Sequence, residues 1–238
     1  MSPKVSCILA TCNRAAFFQQ ALRNFSRQSY ENRELIVVDD SDEPMEEFCR
    51  NADNVRYIRL NQRTATGTKL NIGIEASQGE VIQKFDDDDY YGTEFLSLAV
   101  EHLERARHGR VLVAWCCFAI LIAGDEDLYF SGHGWHAGGS FCFRRELWEG
   151  GRFRAIYRSS DSWFRRDNKP DIVRVCASDQ YLVVRHGANT WIRIEGAPSV
   201  EEYFRNCRRY SKSVEEVVGA ESGDFYRSMM RPMARCHE

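Results

Sequence analysis

Short, unbroken apolar runs alternate with helix-spaced segments through the first hundred residues, and that alternation limits the folds open to this chain. Residues 5–10, 35–38, 55–60 and 80–85 read as strands. Between them, residues 15–28 place Phe17, Phe18, Ala21, Leu22 and Phe25 at helical spacing. A short helix is expected over 43–50, another over 67–77 and a third over 93–107. Continuous apolar strands separated by helices predict a parallel sheet covered on both faces. In open sheets of this kind ligands bind beyond the carboxyl ends of the strands. The first strand ends at Thr11-Cys12-Asn13-Arg14, the second at Asp39-Asp40-Ser41-Asp42 and the fourth at Asp86-Asp87-Asp88-Asp89. Three polar clusters are therefore expected on one rim.

The last of these clusters carries the sharpest chemical signal. Four adjacent carboxylates at the mouth of a core strand repel one another unless a cation offsets them. A hard divalent metal prefers such oxygens; an acidic turn without an ion is the plainer alternative. The rest of the composition is that of a soluble globular protein: 43% of the 238 residues are hydrophobic and 28% charged. A net charge of −3 gives no global sign of affinity for nucleic acid or membranes. The nine cysteines include no CxxC pair, so neither a zinc ribbon nor a thioredoxin motif is indicated. The longest apolar stretch, 111–123, is too short to span a bilayer, and residues 111–122 read as one long central strand. The N-terminus shows no secretory pattern. A reduced, cytoplasmic protein is expected, with peripheral membrane contact as an option.

Residues 5–14 (VSCILATCNR) and 34–41 (ELIVVDDS) resemble the opening of the family 2 inverting glycosyltransferases of GT-A fold. Lys69-Leu70-Asn71-Ile72-Gly73 is similar to that family's basic-x-Asn-x-Gly helix start, and the acidic run to its Asp-x-Asp-Asp motif. Residues 185–190 (RHGANT) resemble the Arg-His-x-x-Asn-Thr segment of metal-dependent members. The resemblance covers roughly residues 4 to 193. It implies an α/β fold of GT-A type, a mostly parallel sheet sandwiched by helices. Residues 1–197 would be the catalytic domain, with 1–110 binding the nucleotide-sugar and 111–197 forming the acceptor half; 198–238 would be a helical tail. The implied activity moves a sugar from a nucleotide-sugar, a UDP-sugar in the first instance, to an acceptor hydroxyl with inversion.

By this resemblance Asp88 and His186 would ligate the metal, and Asp86 would lie nearer the ribose or the metal's water. Asp87 would touch sugar or ribose. Thr11 and Arg14 would bind base, ribose or phosphate, Asp39 would accept from a base N–H, and Lys69 would reach the base or diphosphate. Mixed carboxylate and imidazole ligation suits Mn²⁺ better than Ca²⁺, with Mg²⁺ as the second choice. Asp161 would be the general base on the acceptor hydroxyl. Here the sequence departs from the family: Ser160 stands where a first acid is usual, and Arg152 intervenes before Phe153. Asp161 could instead be a helix N-cap, and Asp171 and Asp179 are rival bases. Asp89 is expected to be structural.

Residues 131–140 hold four glycines with His133, Trp135 and His136 and read as a loop, with Trp135 either a sugar platform or packed. The three-residue spacing of the two histidines is not taken as a second metal site. Ser199 with Glu202 forms a capping box, and Ser213 with Glu216 suggests another. The tail they open would lid the cleft, pair two copies or touch a membrane. The expected partners are a nucleotide-sugar and a glycan or lipid-linked glycan acceptor, with nucleic acid the remote alternative. Two other readings stand beside transfer. A sugar-phosphate nucleotidyltransferase would share the sheet and acids, but the first βα turn lacks a Gly-rich basic loop. A non-catalytic nucleotide- or carbohydrate-binding module would share the scaffold.

Overall fold

The computed structural model describes residues 2–106, 109–187, 189 and 198–230. The first half runs β1 (Val5–Thr11), α1 (Ala15–Ser26), β2 (Arg33–Asp39), β3 (Val55–Arg59), α2 (Thr66–Ala76), β4 (Val81–Lys84), β5 (Tyr90–Tyr91) and α3 (Phe95–Arg105). The second half begins with β6 (Val111–Trp115), β7 (Ala119–Ile122), β8 (Tyr129–Phe130), β9 (Cys142–Arg144) and α4 (Arg145–Glu149). It continues through α5 (Ser160–Asn168), β10 (Asp171–Val175), β11 (Tyr181–Arg185), α6 (Val200–Arg205), α7 (Val214–Val218) and α8 (Ala220–Met230).

Seven strands form the main sheet in the order β10-β6-β9-β4-β1-β2-β3. All neighbours are parallel except β9, which runs antiparallel between β4 and β6. Alternation along the strands explains the continuous apolar runs. Val5, Cys7 and Leu9 face one core with Leu35 and Val37, while Ile8 faces the other with Ile36 and Val38. The registers Thr11↔Asp39 and Ile8↔Lys84 bring the ends of β1, β2 and β4 to one rim. Gly73 lets α2 lie against β1, since a Cβ there would sit 2.6 Å from Ile8 Cγ2. That close approach brings Lys69 to the end of β1.

A second sheet, β5-β11-β7-β8, stands beside the first. Residues 111–122 are thus not the single strand expected from their sequence. The chain bends at Cys116, leaving β6 in the main sheet and β7 in the small one. The ladder is handed over by single bonds: Trp115 N donates to Ser140 Oγ (2.9 Å) and Phe118 N to Ser131 Oγ (2.9 Å). Both strands are buried throughout, so the bend leaves no gap in apolarity. The helix expected over 43–50 is one 3-10 turn, Glu46–Cys49. Arg107, the expected end of the helix preceding β6, lies outside the described residues.

Below the acidic run lies an aromatic floor: Phe85 stacks on Tyr91 (3.8 Å between centroids) and Phe95 on Trp115 (4.0 Å). Such pairs contribute about 0.5–1.5 kcal/mol each beyond their burial. Both capping serines of the tail accept from the backbone of the glutamate three residues on. The tail's apolar residues Val214, Val217, Val218, Tyr226 and Met230 share one core with Ala119, Leu121, Leu182 and Val184 of β7 and β11. Tyr203 alone is an exposed large hydrophobic side chain among the described residues of the tail. The described part of the tail therefore spends its apolar face on its own chain, and nothing among the described residues there supports pairing of two copies. No helix among the described residues is long and apolar enough to cross a membrane.

Candidate active site

The three polar clusters meet, as expected, in a cleft of about 1170 Å³ at the carboxyl ends of β1, β2 and β4. Its acidic wall is a short turn in which each carboxylate faces a different element. Asp86 accepts from Lys84 Nζ at 2.7 and 2.9 Å, and the same ammonium lies 3.4 Å from Asp161. Asp87 accepts from Thr11 Oγ1 (2.8 Å) and Arg14 Nη1 (2.9 Å). Asp88 Oδ2 receives Arg14 Nη1 (2.8 Å) and Asn189 Nδ2 (3.0 Å) and faces His186 Nε2 at 3.0 Å. Asp89 turns inward, accepting from Tyr181 Oη (2.5 Å) and Val184 N (3.1 Å), which pins β11 to the run.

Burial sets the protonation of these groups, and their partners modify it. Burial pushes Asp86 up to about 6, with Asp161 and Asp88 adding repulsion that Lys84 only partly offsets. Asp87 is raised by burial and by Asp88, against the pull of Arg14. Burial also works against the Asp88 anion, but the His186 contact and the Arg14 charge outweigh it and hold its carboxyl low. Asp89 is raised well above the usual range by burial and by its two acidic neighbours. Lys84 shows the reciprocal effect: burial disfavours its charge, yet Asp161 and Asp86 keep it protonated.

At the ends of β1 and β2, Lys69 is buried and donates to Thr11 O (2.9 Å) and Asp40 Oδ1 (2.8 Å). Asp40 also accepts from Thr64 N (2.7 Å). Asp39 is fully buried and does not line the cleft. Its oxygens are occupied by Ser41 N (2.8 Å), the Ser41 hydroxyl, Tyr57 Oη (2.5 Å) and Arg59 Nη1 (3.1 Å). Its neighbour Asp40 is the one that faces the cleft.

The opposite wall is built from α5 and the glycine loop. Asp161 is the second residue of α5, whose N-cap position is Ser159, so it is not the N-cap. Its Oδ1 is buried without a hydrogen-bond partner among the described residues. Gly138 packs against its carboxylate, and a Cβ at Gly139 would fall 2.7 Å from Asp86 Oδ2. His136 pairs with Arg165 Nη1 at 2.6 Å. Trp135 lines the cleft, but its Nε1 donates to Ser131 O (2.8 Å) and its ring packs on Phe118 and Phe204. The rival acids lie elsewhere: Asp171 is exposed at the start of β10 and Asp179 pairs with Lys212, and neither lines the cleft.

The donors present fit a divalent ion. A carboxylate and an imidazole are donor types that a divalent ion takes, and Asp88 Oδ2 and His186 Nε2, in hydrogen-bond contact at 3.0 Å, are the side chains that would hold one. Among the described residues no third His, Cys, Asp or Glu donor joins that pair within 4.8 Å.

Residues 6–118 match the model of a protein family described as glycosyl transferase family 2. Over that segment, just under half of its length, the chain is similar to glycosyl transferase family 2. The matched segment holds the three strand ends and the acidic run; Asp161 and His186 lie beyond it. A Campylobacter jejuni GalNAc(5)-diNAcBac-PP-undecaprenol beta-1,3-glucosyltransferase is 32% identical over 140 residues, covering 56% of this chain and 43% of the relative. The chain thus spans less than half the length of that relative. Among solved structures, S. aureus TarS 1-349 in complex with UDP-GlcNAc superposes with a TM-score of 0.64 at 18% identity. That match covers 79% of this chain and 60% of TarS 1-349. The Pyrobaculum calidifontis mannosyltransferase PcManGT, in complex with GDP-Man and Mn²⁺, gives 0.60 at 19% identity, covering 82% and 59%. At these identities the likeness establishes the glycosyltransferase fold shared by all three.

Three residues that bond to the polar groups of this cleft were not singled out from the sequence. Lys84 was legible as a lysine inside an apolar strand two residues before the acids. Asp40 stood beside the chosen Asp39. Asn189 lay within the RHGANT segment, where it accepts from His186 N (2.9 Å) and donates to Val184 O (2.8 Å). Ala188 and Thr190 of that segment lie outside the described residues.

Proposed function

We propose that this cleft transfers a sugar from a nucleotide-sugar, a UDP-sugar in the first instance, to an acceptor hydroxyl with inversion, and that it uses a divalent metal, Mn²⁺ before Mg²⁺. The observation that carries the reading is Asp161: a carboxylate lining the cleft on the other side of Lys84 from Asp86, whose Oδ1 has no hydrogen-bond partner among the described residues. An acceptor hydroxyl at the partly exposed Asp161 carboxylate gives up its proton there as its oxygen attacks the anomeric carbon and the nucleoside diphosphate leaves. Inversion by direct displacement needs one such base. Lys84 orients the Asp161 carboxylate and keeps Asp86 from crowding it.

Asp88 and His186 would hold the metal, which supplies Lewis-acid stabilisation of the departing nucleoside diphosphate. Arg14 adds fixed positive charge on the same side, and Lys69 and Thr11 close the diphosphate end. Asp86 and Asp87 are assigned to the sugar and ribose. Asp39 reads the base N–H only if Tyr57 or Arg59 releases its oxygen. Residues 1–110 hold the donor and 111–197 shape the acceptor side, while the described part of the tail, 198–230, buttresses the small sheet. The lipid-linked chemistry named for the Campylobacter relative suggests a similar acceptor here, which would bring a cytoplasmic protein to a membrane surface.

A panel of nucleotide-sugars and acceptors, read by mass spectrometry of products, tests the activity. Asp161→Asn is expected to leave UDP affinity within about twofold and to lower turnover by about 10²–10⁴-fold, the usual contribution of general-base catalysis. Unchanged turnover overturns the base assignment. Mn²⁺-dependent UDP binding should be lost in Asp88→Ala and His186→Ala; retention in both would remove the metal site.

A further inference from the structure

A second group of metal-ligating side chains lies away from the acidic run. We propose that Cys116, Cys117, His133 and Cys176 bind a structural Zn²⁺ ion where the two sheets meet. One donor atom from each lies within 4.8 Å of all the others. Cys116 and Cys117 sit at the bend between β6 and β7 and are buried, whereas His133 and Cys176 are exposed. His133 belongs to the loop after β8, and Cys176 directly follows β10.

Geometry and ligand chemistry point to the same ion. Zinc–sulfur bonds of about 2.3 Å and zinc–nitrogen bonds of about 2.0–2.1 Å give tetrahedral edges of about 3.5–3.8 Å. The present spread exceeds that by about 1 Å at most, a gap that rotamer changes of the two exposed side chains close. Three thiolates and an imidazole form a Cys₃His set that selects Zn²⁺ over the hard ions suited to the cleft. With four protein ligands no position is left for substrate, which makes the ion structural.

The backbone already brings the three segments together. Cys116 N donates to Val175 O (3.0 Å), Trp135 N to Cys116 O (3.1 Å) and Ser131 N to Phe118 O (3.0 Å). Gly132 and Gly134 flank His133 at φ +75 and +102, left-handed positions that turn the loop back toward the cysteines. The same loop carries Trp135, His136, Gly138 and Gly139 into the cleft wall. An ion at the junction would fix that wall to both sheets at once. Ligands drawn from three separate elements have no motif spacing, so the absence of a CxxC pair did not exclude them.

The experiment needs no assumption about sugar transfer. The full chain is purified under a thiol reductant, and its zinc is measured by elemental analysis beside His186→Ala and the double variant His133→Ala/Cys176→Ser. About one zinc per chain is expected in the wild type and in His186→Ala, and close to none in the double variant. The double variant changes only exposed side chains and so keeps its fold. Cobalt substitution should give thiolate-to-metal absorption in the wild type alone. A chelator should lower the wild-type Tm by about 5 °C or more and leave the double variant unmoved. Equal zinc in wild type and double variant overturns the proposal, as does a wild type that neither holds zinc nor is stabilised by it. Zinc-free wild type that instead forms a Cys176 disulfide to Cys116 or Cys117 when purified without reductant, with dissolved dioxygen taking the two electrons and two protons, also overturns the proposal.

Discussion

Replacing Lys84 with methionine isolates the charge that makes the acidic wall tolerable. The Lys84 side chain is 7% exposed, while Asp86 and Asp161, its two carboxylate partners, are 33% and 27% exposed. Removing one partner of a fully buried ion pair costs about 3–5 kcal/mol. Partial exposure of both acids lets water recover some of this, so about 2–3 kcal/mol is expected near pH 8. For a chain of this size that corresponds to a Tm lower by about 4–12 °C. The loss should depend on pH in a defined direction. Asp86 already stands at about 6 in the folded chain, above the ordinary carboxylate value of about 3.9. Its raised pKa contributes stability that is fully present below about 3.9 and lost as pH rises through about 6. Without Lys84 the folded value climbs further, so the variant suffers most above pH 7 and least near pH 5, where Asp86 holds a proton in both proteins. Urea titrations followed by tryptophan fluorescence at pH 5 and pH 8 measure this. Equal losses at the two pH values would mean that the aliphatic stem of Lys84, not its charge, carries the effect, and would refute the argument.

Two further substitutions probe other parts of the site. Asn189→Ala removes the amide that holds both the Asp88 carboxylate and the backbone of His186; Mn²⁺ affinity, titrated in the presence of UDP, should fall about 10–100-fold. Gly139→Ala places a methyl group against the Tyr181 hydroxyl and Asp86; a destabilisation of about 1–3 kcal/mol is expected by chemical denaturation, and a neutral result would show that the glycine loop yields freely.

Much of the fold was legible because burial on both faces of a parallel sheet leaves an unmistakable apolar run at Leu35–Val38 and its neighbours. The same property hid the bend at Cys116: two strands in different sheets, both fully buried, read as one. At the site, the order of strand ends placed Thr11, Arg14, Asp87 and Asp88 correctly on one rim, and the histidine motif brought His186 to Asp88. What stayed hidden was the division of labour among neighbours. Nothing local distinguishes Asp39 from Asp40; the choice is made by Tyr57 and Arg59 on the adjacent strand, which claim Asp39, and by Lys69 across the cleft, which claims Asp40. Lys84 was overlooked because a lysine in a strand normally turns outward, and only Asp86 and Asp161 together hold it in.

The four-residue acidic turn is tied in four directions: to β4 and through Lys84 to α5, to β1, to the segment after β11 and to β11 itself. Its members share one buried pool of charge, so an alanine scan across it would report couplings between sites rather than four separable contributions. Such a turn also leaves little freedom for change. A chain that diversifies its donor or acceptor cannot do so cheaply at Asp86 to Asp89, where each substitution disturbs two or more elements at once. Variation is expected at the rim instead, around Tyr157 to Ser159, where exposed side chains meet solvent or substrate and little else.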